Sequence, residues 1–273
     1  MQRKKYNWII TLFVFMGSLF ILFPLYLLVT TALKTPQELA ESRLAFPIGM
    51  HFENFPTAIE MTNFFNALKN SLIITVFAVS ITILTNSMVA YAIARNMHKR
   101  FYRGLYFYFI SAMFIPFPII MLPIVKQTSA MAMDNPIGII FLYIVYGLAF
   151  NIFVYVGYIK SIPRDLEEAA TIDGASTWGV FWRVVFPLLA PMNATVGILS
   201  SLWIWNDFML SLIILTKRRM MTLPLVQFVF QSQFSTDYNL AFASYLMALL
   251  PMIVVFVFAQ KWIISGVTRG AIK

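Results

Sequence analysis

The sequence contains no cysteine, only two histidines and little charge: Asp, Glu, Lys and Arg together make up 11% of its 273 residues. Without cysteine there is no disulfide framework, no thiolate nucleophile and no Cys-ligated metal. His51 and His98 lie far apart in polar loops, too few for a histidine metal site or a catalytic triad. A phosphate-binding loop is also missing, since no Gly is followed by Lys anywhere, so the chain does not bind ATP through that motif. What fills the sequence instead is apolar, 60% hydrophobic against roughly 45–50% in a typical soluble domain. A soluble globule of this length could not hide so much apolar surface, so hydrocarbon must be part of the solvent.

Crossing that hydrocarbon takes about 20 predominantly apolar residues per helix. Six runs qualify: Trp8 to Leu33, Asn70 to Ala94, Leu105 to Val125, Pro136 to Ile159, Pro191 to Leu215 and Asn239 to Ala259. The first is too long for a signal-peptide core, lacks an A-x-A cleavage pattern and reads as a retained helix. Pro116, Pro118 and Pro123 interrupt the third run, and each removes a backbone donor and tends to kink or break a helix. Two readings of those breaks are open. They expose backbone to a cavity, or they bend a helix whose freed carbonyls bond to neighbours.

Net charge is +9, with the basic residues in short clusters between the apolar runs, a pattern of cytoplasmic loops rather than of a nucleic-acid surface. With both termini inside, the cytoplasmic segments hold 13 Lys and Arg and the external ones 7. Arg95, Lys99, Arg100 and Arg103 carry this bias most clearly, whereas Lys217, Arg218 and Arg219 oppose it. Among Asp, Glu, Lys, Arg and His, the runs contain only Asp207. That leaves no set of groups for intramembrane proteolysis and few for proton or voltage coupling. Asn206 and Asp207, beside Trp205, are the polar candidates for a substrate pathway, and the alternative for them is interhelical hydrogen bonding. Asn193-Ala194-Thr195 matches a glycosylation acceptor by chance, and Gly266 and Gly270 have G-x-x-x-G spacing in a polar tail where that packing motif does not apply.

The stretch Ile162 to Pro191, IPRDLEEAATIDGASTWGVFWRVVFPLLAP, is too polar to cross and long for a turn. Pro163 suits a first helical turn, and Asp165, Glu167 and Glu168 favour the positive end of the helix dipole. Leu166, Ala169 and Ala170 form a narrow face of mostly small side chains. Gly174 supplies a positive φ to end that helix, and Ser176 or Thr177 caps the next. Trp178, Phe181, Trp182 and Val185 then repeat at i, i+3, i+4 and i+7, an aromatic stripe expected to pack on the membrane domain or lie in the interface. Amphipathicity alone leaves two readings open, a partnerless interfacial hairpin and a docking element.

Glu168-Ala169-Ala170, then Gly174, Val184, Phe186 and Pro187 stand at the spacings of the EAA motif of ABC-importer permeases, with Val for Ile and Phe for Leu as departures that stay apolar. The fuller string EEAATIDGAS with FPLLAP, the Trp205-Asn206-Asp207-Phe208 run and the terminal Gly266 to Lys273 segment resemble the carbohydrate-uptake, maltose-type branch and its second permease subunit. The resemblance implies an all-α integral membrane protein with six transmembrane helices, a type I ABC-importer transmembrane domain with a cytoplasmic coupling hairpin. It divides the chain into residues 1–69 (first helix and external loop), 70–262 (permease core, coupling loop 160–190) and 263–273 (cytoplasmic tail).

By the same resemblance, the chain is a non-catalytic subunit that imports a sugar or oligosaccharide across a bacterial plasma membrane, with no cofactor or metal of its own. Its partners would be a homologous second permease, two ATPase subunits that hold ATP and Mg, and an extracytoplasmic sugar-binding protein. The ATPase-coupling residues would be Glu168, Ala169, Ala170, Asp173, Gly174 and Pro187. Gly266, Thr268, Arg269 and Gly270 of the tail would reach the ATPases, and the external loop Lys217 to Tyr238 would meet the binding protein. The other reading is a self-sufficient secondary carrier or channel for a polar solute.

Overall fold

The structure, a computed structural model, describes residues 8–230 and 237–271, with side chains as far as Phe258. Among the described residues every regular element is helical. In chain order the α-helices are α1 (Trp8–Ala32), α2 (Pro36–Glu41), α3 (Asn54–Thr62), α4 (Phe64–Arg95), α5 (Arg100–Ser111), α6 (Phe117–Ala130) and α7 (Pro136–Ile159). There follow α8 (Asp165–Ile172), α9 (Thr177–Val180), α10 (Phe186–Leu188), α11 (Ala190–Asn206), α12 (Met209–Ile214), α13 (Leu223–Val226) and α14 (Tyr238–Ala271).

Among the described residues, four helices are long and apolar enough to cross a bilayer without a break: α1, α4, α7 and α14 over Tyr238–Phe258. Two bent pairs reach that length and apolarity only together, Arg100–Phe114 with Phe117–Ala130 at 106° and Thr177–Leu188 with Ala190–Asn206 at 73°, which gives six crossings if each pair spans once. The prolines explain the first bend. Pro116 has no backbone N–H to continue α5 and stands extended at φ −63°, ψ 131° as the N-cap of α6, where Pro118 fits the first turn. The third apolar run, Leu105 to Val125, is thus interrupted as its prolines indicate, with the break at Pro116. The fifth departs from the single expected helix over Pro191 to Leu215: its helix ends at Asn206 and a separate short helix begins at Met209. Residues 263–271, expected as a tail, continue the α14 backbone as helix; the side chains of Gly266, Thr268, Arg269 and Gly270 lie outside the described residues.

The chain divides into two compact units, Met1–Phe65 with Val226–Ile253, and Asn66–Leu225 with Val254–Lys273. In the first unit, α1 is apolar on all sides and buries only Thr30, Thr31 and Ala32 among its own residues. Ala32, Ala58, Phe230, Ala241 and Ala243 form its small core, where alanines let backbones approach closely. Thr35 and Glu38 cap α2 reciprocally, and the second oxygen of Glu38 accepts the N–H groups of Ile48 (2.7 Å) and Gly49 (3.3 Å). These backbone donors, the Thr35 N–H first, hold the Glu38 carboxyl below the usual glutamate range. Lys34 is 1% exposed and donates to the Ser42 carbonyl at 2.9 Å, while Asn54 donates to the carbonyls of Ala32 and Lys34.

The second unit has two cores. One joins Ala90 and Ile93 of α4, Ile152, Tyr155 and Val156 of α7, and Val180, Phe181, Val185 and Leu189 of the 160–190 segment. The other gathers Ile74 and Ala78, Ile139 and Tyr143, Ile204, and Leu210 and Ile214. Asn66 and Asn70 of α4 donate to the Arg219 carbonyl, and Asn70 also to Met221, which fastens the basic 217–221 loop.

Candidate functional site

The polar segment after α7 folds as a helical hairpin. Its first arm, α8, starts with Asp165, Glu167 and Glu168 in the first turn, where carboxylates oppose the helix dipole. Asp173 ends α8, with its N–H on the Ala169 carbonyl, and Gly174 follows at φ +85°, a region that L side chains avoid. The Ser176 hydroxyl then accepts the Gly179 N–H at 3.2 Å and caps α9.

The second arm is not a uniform α-helix. Phe181–Val185 is a π-helical turn, closed by the Phe186 N–H on the Phe181 carbonyl. The wider turn shifts the phase of the side chains. It divides the expected aromatic stripe: Phe181 and Val185 are buried in the core, while Trp178 and Trp182 are exposed. Trp182 sits edge-on to Phe181 and tilted against Phe186, both at 5.0 Å, with Tyr91 of α4 tilted against Phe181 at 5.4 Å.

Of the residues expected to couple, Glu168 and Ala169 are exposed on α8, Ala170 is half-buried against the core, and Asp173, Gly174 and Pro187 are exposed. Beside Glu168 on the outer surface stand the apolar Leu166 and Ile172. The adjacent acid behaves differently. Glu167 turns inward, where its Oε1 pairs with the Arg95 guanidinium and its Oε2 accepts the Tyr91 hydroxyl at 2.8 Å. Arg95 also donates to the Ile162 carbonyl at 3.1 Å. A polar cavity of 240 Å³ opens beside this group, lined in part by Arg164, Glu168 and Thr171.

Sequence reasoning treated Arg95 only as an orienting loop charge and gave Glu167 no partner. The signal was present in the spacing. Glu167 lies three residues before Ala170, the residue of the small-side-chain face that meets the core, so the two share a helix face.

The second polar site is the break between α11 and α12. Asp207 ends α11 in an extended conformation (ψ 124°), and its Oδ2 accepts the Ser211 N–H at 3.1 Å and the Tyr143 hydroxyl from α7 at 2.8 Å. The carboxylate thus caps one helix and ties it to another. Asn206, its neighbour, is exposed and donates back to the Leu202 carbonyl of its own helix, and Trp205 is buried. The exposed ring at this level is Trp203, set edge-on to Tyr143 at 5.4 Å. Asn193 of the glycosylation-like triplet accepts the Tyr155 hydroxyl at 2.8 Å.

The family model for a binding-protein-dependent transport system inner membrane component matches residues 86–269, more than half of the chain. Among curated proteins, the multiple sugar-binding transport system permease MsmG of Streptococcus mutans is 38% identical, over 100% of this chain and 99% of its own. The probable starch degradation products permease AmyC of Thermoanaerobacterium thermosulfurigenes is 36% identical, over 94% and 93%. The melibiose/raffinose/stachyose import permease MelC of Bacillus subtilis is also 36% identical, over 99% and 98%. Among solved structures, a chain of a bacterial ABC transporter involved in import of the acidic polysaccharide alginate superposes with a TM-score of 0.82, at 22% identity, over 93% of this chain and 94% of that one. That likeness shows the fold.

Proposed function

The chain belongs to the family of binding-protein-dependent transport system inner membrane components, and on that premise we propose that it is one of two permease subunits of an ATP-driven importer for a sugar or oligosaccharide. The observation that carries the coupling part of this reading is the hairpin itself. It holds Glu168 and Ala169 outward on a rigid arm, beside exposed Leu166 and Ile172, while its inner side is fixed in the core. An exposed carboxylate followed by a small Ala169 and, one turn on, by the apolar Ile172 suits a cleft with a basic residue at its base.

In this reading the hairpin sits in such a cleft on an ATPase subunit. Two ATPase subunits bind ATP and Mg and do the hydrolysis, and this chain contributes no catalytic group. Their closure draws the hairpins of this permease and its homologous partner together, and the membrane helices rock between inward-open and outward-open states. An extracytoplasmic sugar-binding protein delivers the solute, with the loop from Lys217 to Tyr238 as its contact here. Residues 231–236 of that loop lie outside the described residues.

Both termini are cytoplasmic, in line with the charge bias and with six crossings if each bent pair spans once. The α14 backbone carries Gly266, Thr268, Arg269 and Gly270 onward from the last crossing towards the ATPases. Asp207 acts as a tie between helices, and sugar contacts fall to exposed rings such as Trp203.

Affinity purification from the native membrane, followed by mass spectrometry and reconstitution, tests the assignment. The expected result is recovery of a second permease and a phosphate-loop ATPase, and sugar uptake that requires ATP and the binding protein. Sugar flux through liposomes containing this chain alone would overturn it and identify a self-sufficient carrier.

A further inference from the structure

We propose that Arg95 and Tyr91 of α4 clasp Glu167 of the hairpin so that α4 moves with the hairpin as one body, making α4 the helix through which ATPase motion enters the membrane. This inference rests on the reading of the hairpin as the ATPase contact.

The hairpin is joined to α7 and α11 through the chain, but to α4 only through side chains. Tyr91 and Arg95 are four residues apart and therefore project from the same face of α4. Both oxygens of Glu167 are engaged, one by Arg95 and the other by Tyr91. The clasp closes on the backbone as well: Arg95 donates to the Ile162 carbonyl at 3.1 Å, and Arg164 donates to the Arg95 carbonyl at 3.4 Å. The side chains of Arg95 and Glu167 are each 13% exposed, so water competes weakly for the pair.

Beneath it, the Tyr91 ring leans on Phe181 at 5.4 Å and α4 contributes Ala90 and Ile93 to the core shared with Val180. An apolar contact by itself lets two surfaces slide, because it has no preferred direction. Here the Nε and Nη2 of Arg95 both reach Oε1 while the Tyr91 hydroxyl holds Oε2, and charge-assisted bonds of this kind fix distance and direction. With Glu167 occupied on the inside, Glu168 faces outward, as do Asp165 and Asp173 at the two ends of α8. The two neighbouring acids therefore divide the work, one holding the permease and one meeting the partner.

The test uses the full importer in proteoliposomes, with sugar transported per ATP hydrolysed as the readout. Coupling free energies between sites correspond to roughly 5–150-fold effects, so Arg95→Ala and Glu167→Ala are expected to lower that ratio at least about fivefold while ATPase subunits still co-purify. The exchanged pair Arg95→Glu with Glu167→Arg should recover part of the ratio, which loss of packing alone would not allow. Tyr91→Phe keeps the ring on Phe181 and should give a smaller loss.

If the single variants assemble and transport as much sugar per ATP as the parent, the clasp has no coupling role and the proposal is overturned. If the singles uncouple and the exchange recovers nothing, the pair is not the agent and the proposal is equally overturned. Failure of the unaltered chain to retain ATPase subunits would instead strike the hairpin reading. Should the singles not assemble, spin labels at Ala92→Cys and Ile172→Cys in the otherwise cysteine-free chain decide the matter. One distance distribution with and without ATP supports the clasp, and a shift on ATP binding overturns it.

Discussion

Removing the tyrosine hydroxyl that faces Asp207 isolates the role of the single carboxylate in the apolar runs. Tyr143 is 1% exposed, and its hydroxyl stands 2.8 Å from Asp207 Oδ2 and 3.3 Å from Ser211 Oγ. A hydrogen bond to a charged group is worth about 1.5–3 kcal/mol in proteins, whereas interhelical bonds within membranes average about 0.6. Tyr143→Phe leaves Asp207 with the Ser211 N–H, so the expected loss is between these values, roughly 1–2 kcal/mol.

Asp207→Ala strips the cap from α12 and leaves the buried Tyr143 hydroxyl only its longer contact to Ser211 Oγ, and at about 1–3 kcal/mol for an unpaired group should cost roughly 2–4 kcal/mol in all. Asp207→Asn keeps a carbonyl oxygen where Oδ2 stands and should remain within about 0.5 kcal/mol, because Asn caps helices as well as Asp does. Unfolding in detergent, followed by tryptophan fluorescence, reads these differences, since Trp203 lies against Tyr143. The order Asn, then Phe, then Ala is the signature of a tie between helices. If Asp207→Asn is as damaging to uptake as Asp207→Ala while the protein stays stable, the negative charge itself is needed and the carboxylate engages the solute.

Three further perturbations follow from local geometry. A Cβ on Gly138 would lie 1.8 Å from the Met133 carbonyl oxygen, so Gly138→Ala should cost at least about 1–3 kcal/mol and lower Tm, whereas Gly157→Ala meets nothing within 4 Å and should be neutral. Gly174→Val places a β-branched residue at φ +85° and should weaken the hairpin by about 1–2 kcal/mol, read as faster proteolysis after α8 with the membrane helices intact. Glu38, with its pKa depressed in the folded state, contributes stability that is fully present above the unfolded value of about 4.3 and is lost as pH falls through the lower folded value. The protection factors of the Ile48 and Gly49 amides, taken against the intrinsic exchange rate at each pH, should therefore fall in acid below that value, and Glu38→Gln should abolish the dependence.

The helical class and four crossings were legible because hydrocarbon imposes a simple rule of length and apolarity, and Pro136 to Ile159 matches α7 residue for residue. The bends were only partly legible. Pro116, Pro118 and Pro123 all signal interruption, but the turn is made at Pro116, while Pro118 starts α6 and Pro123 is carried inside it. For Asp207 both solute contact and helix tie stayed open, with the tie slightly favoured, because the choice depends on Tyr143, 64 residues earlier and indistinguishable in sequence from the other tyrosines of α7. The hairpin turn at Gly174 followed from local chemistry alone. The π turn after Val180 did not, since no residue type demands it.

Helix α1 is apolar around its whole circumference and sinks only its last three residues into the chain's own packing. Its C-terminal end sets its rotation within its own unit, where Tyr26 donates to the Leu44 carbonyl at 2.7 Å and lies edge-on to Phe46. The exposed stretch before it presents apolar side chains all round to whatever medium surrounds it, lipid chains or the flank of another subunit. Sequence drift along Trp8 to Phe23 should then be limited by oiliness and length rather than by shape, and one such helix could serve against differently contoured neighbours.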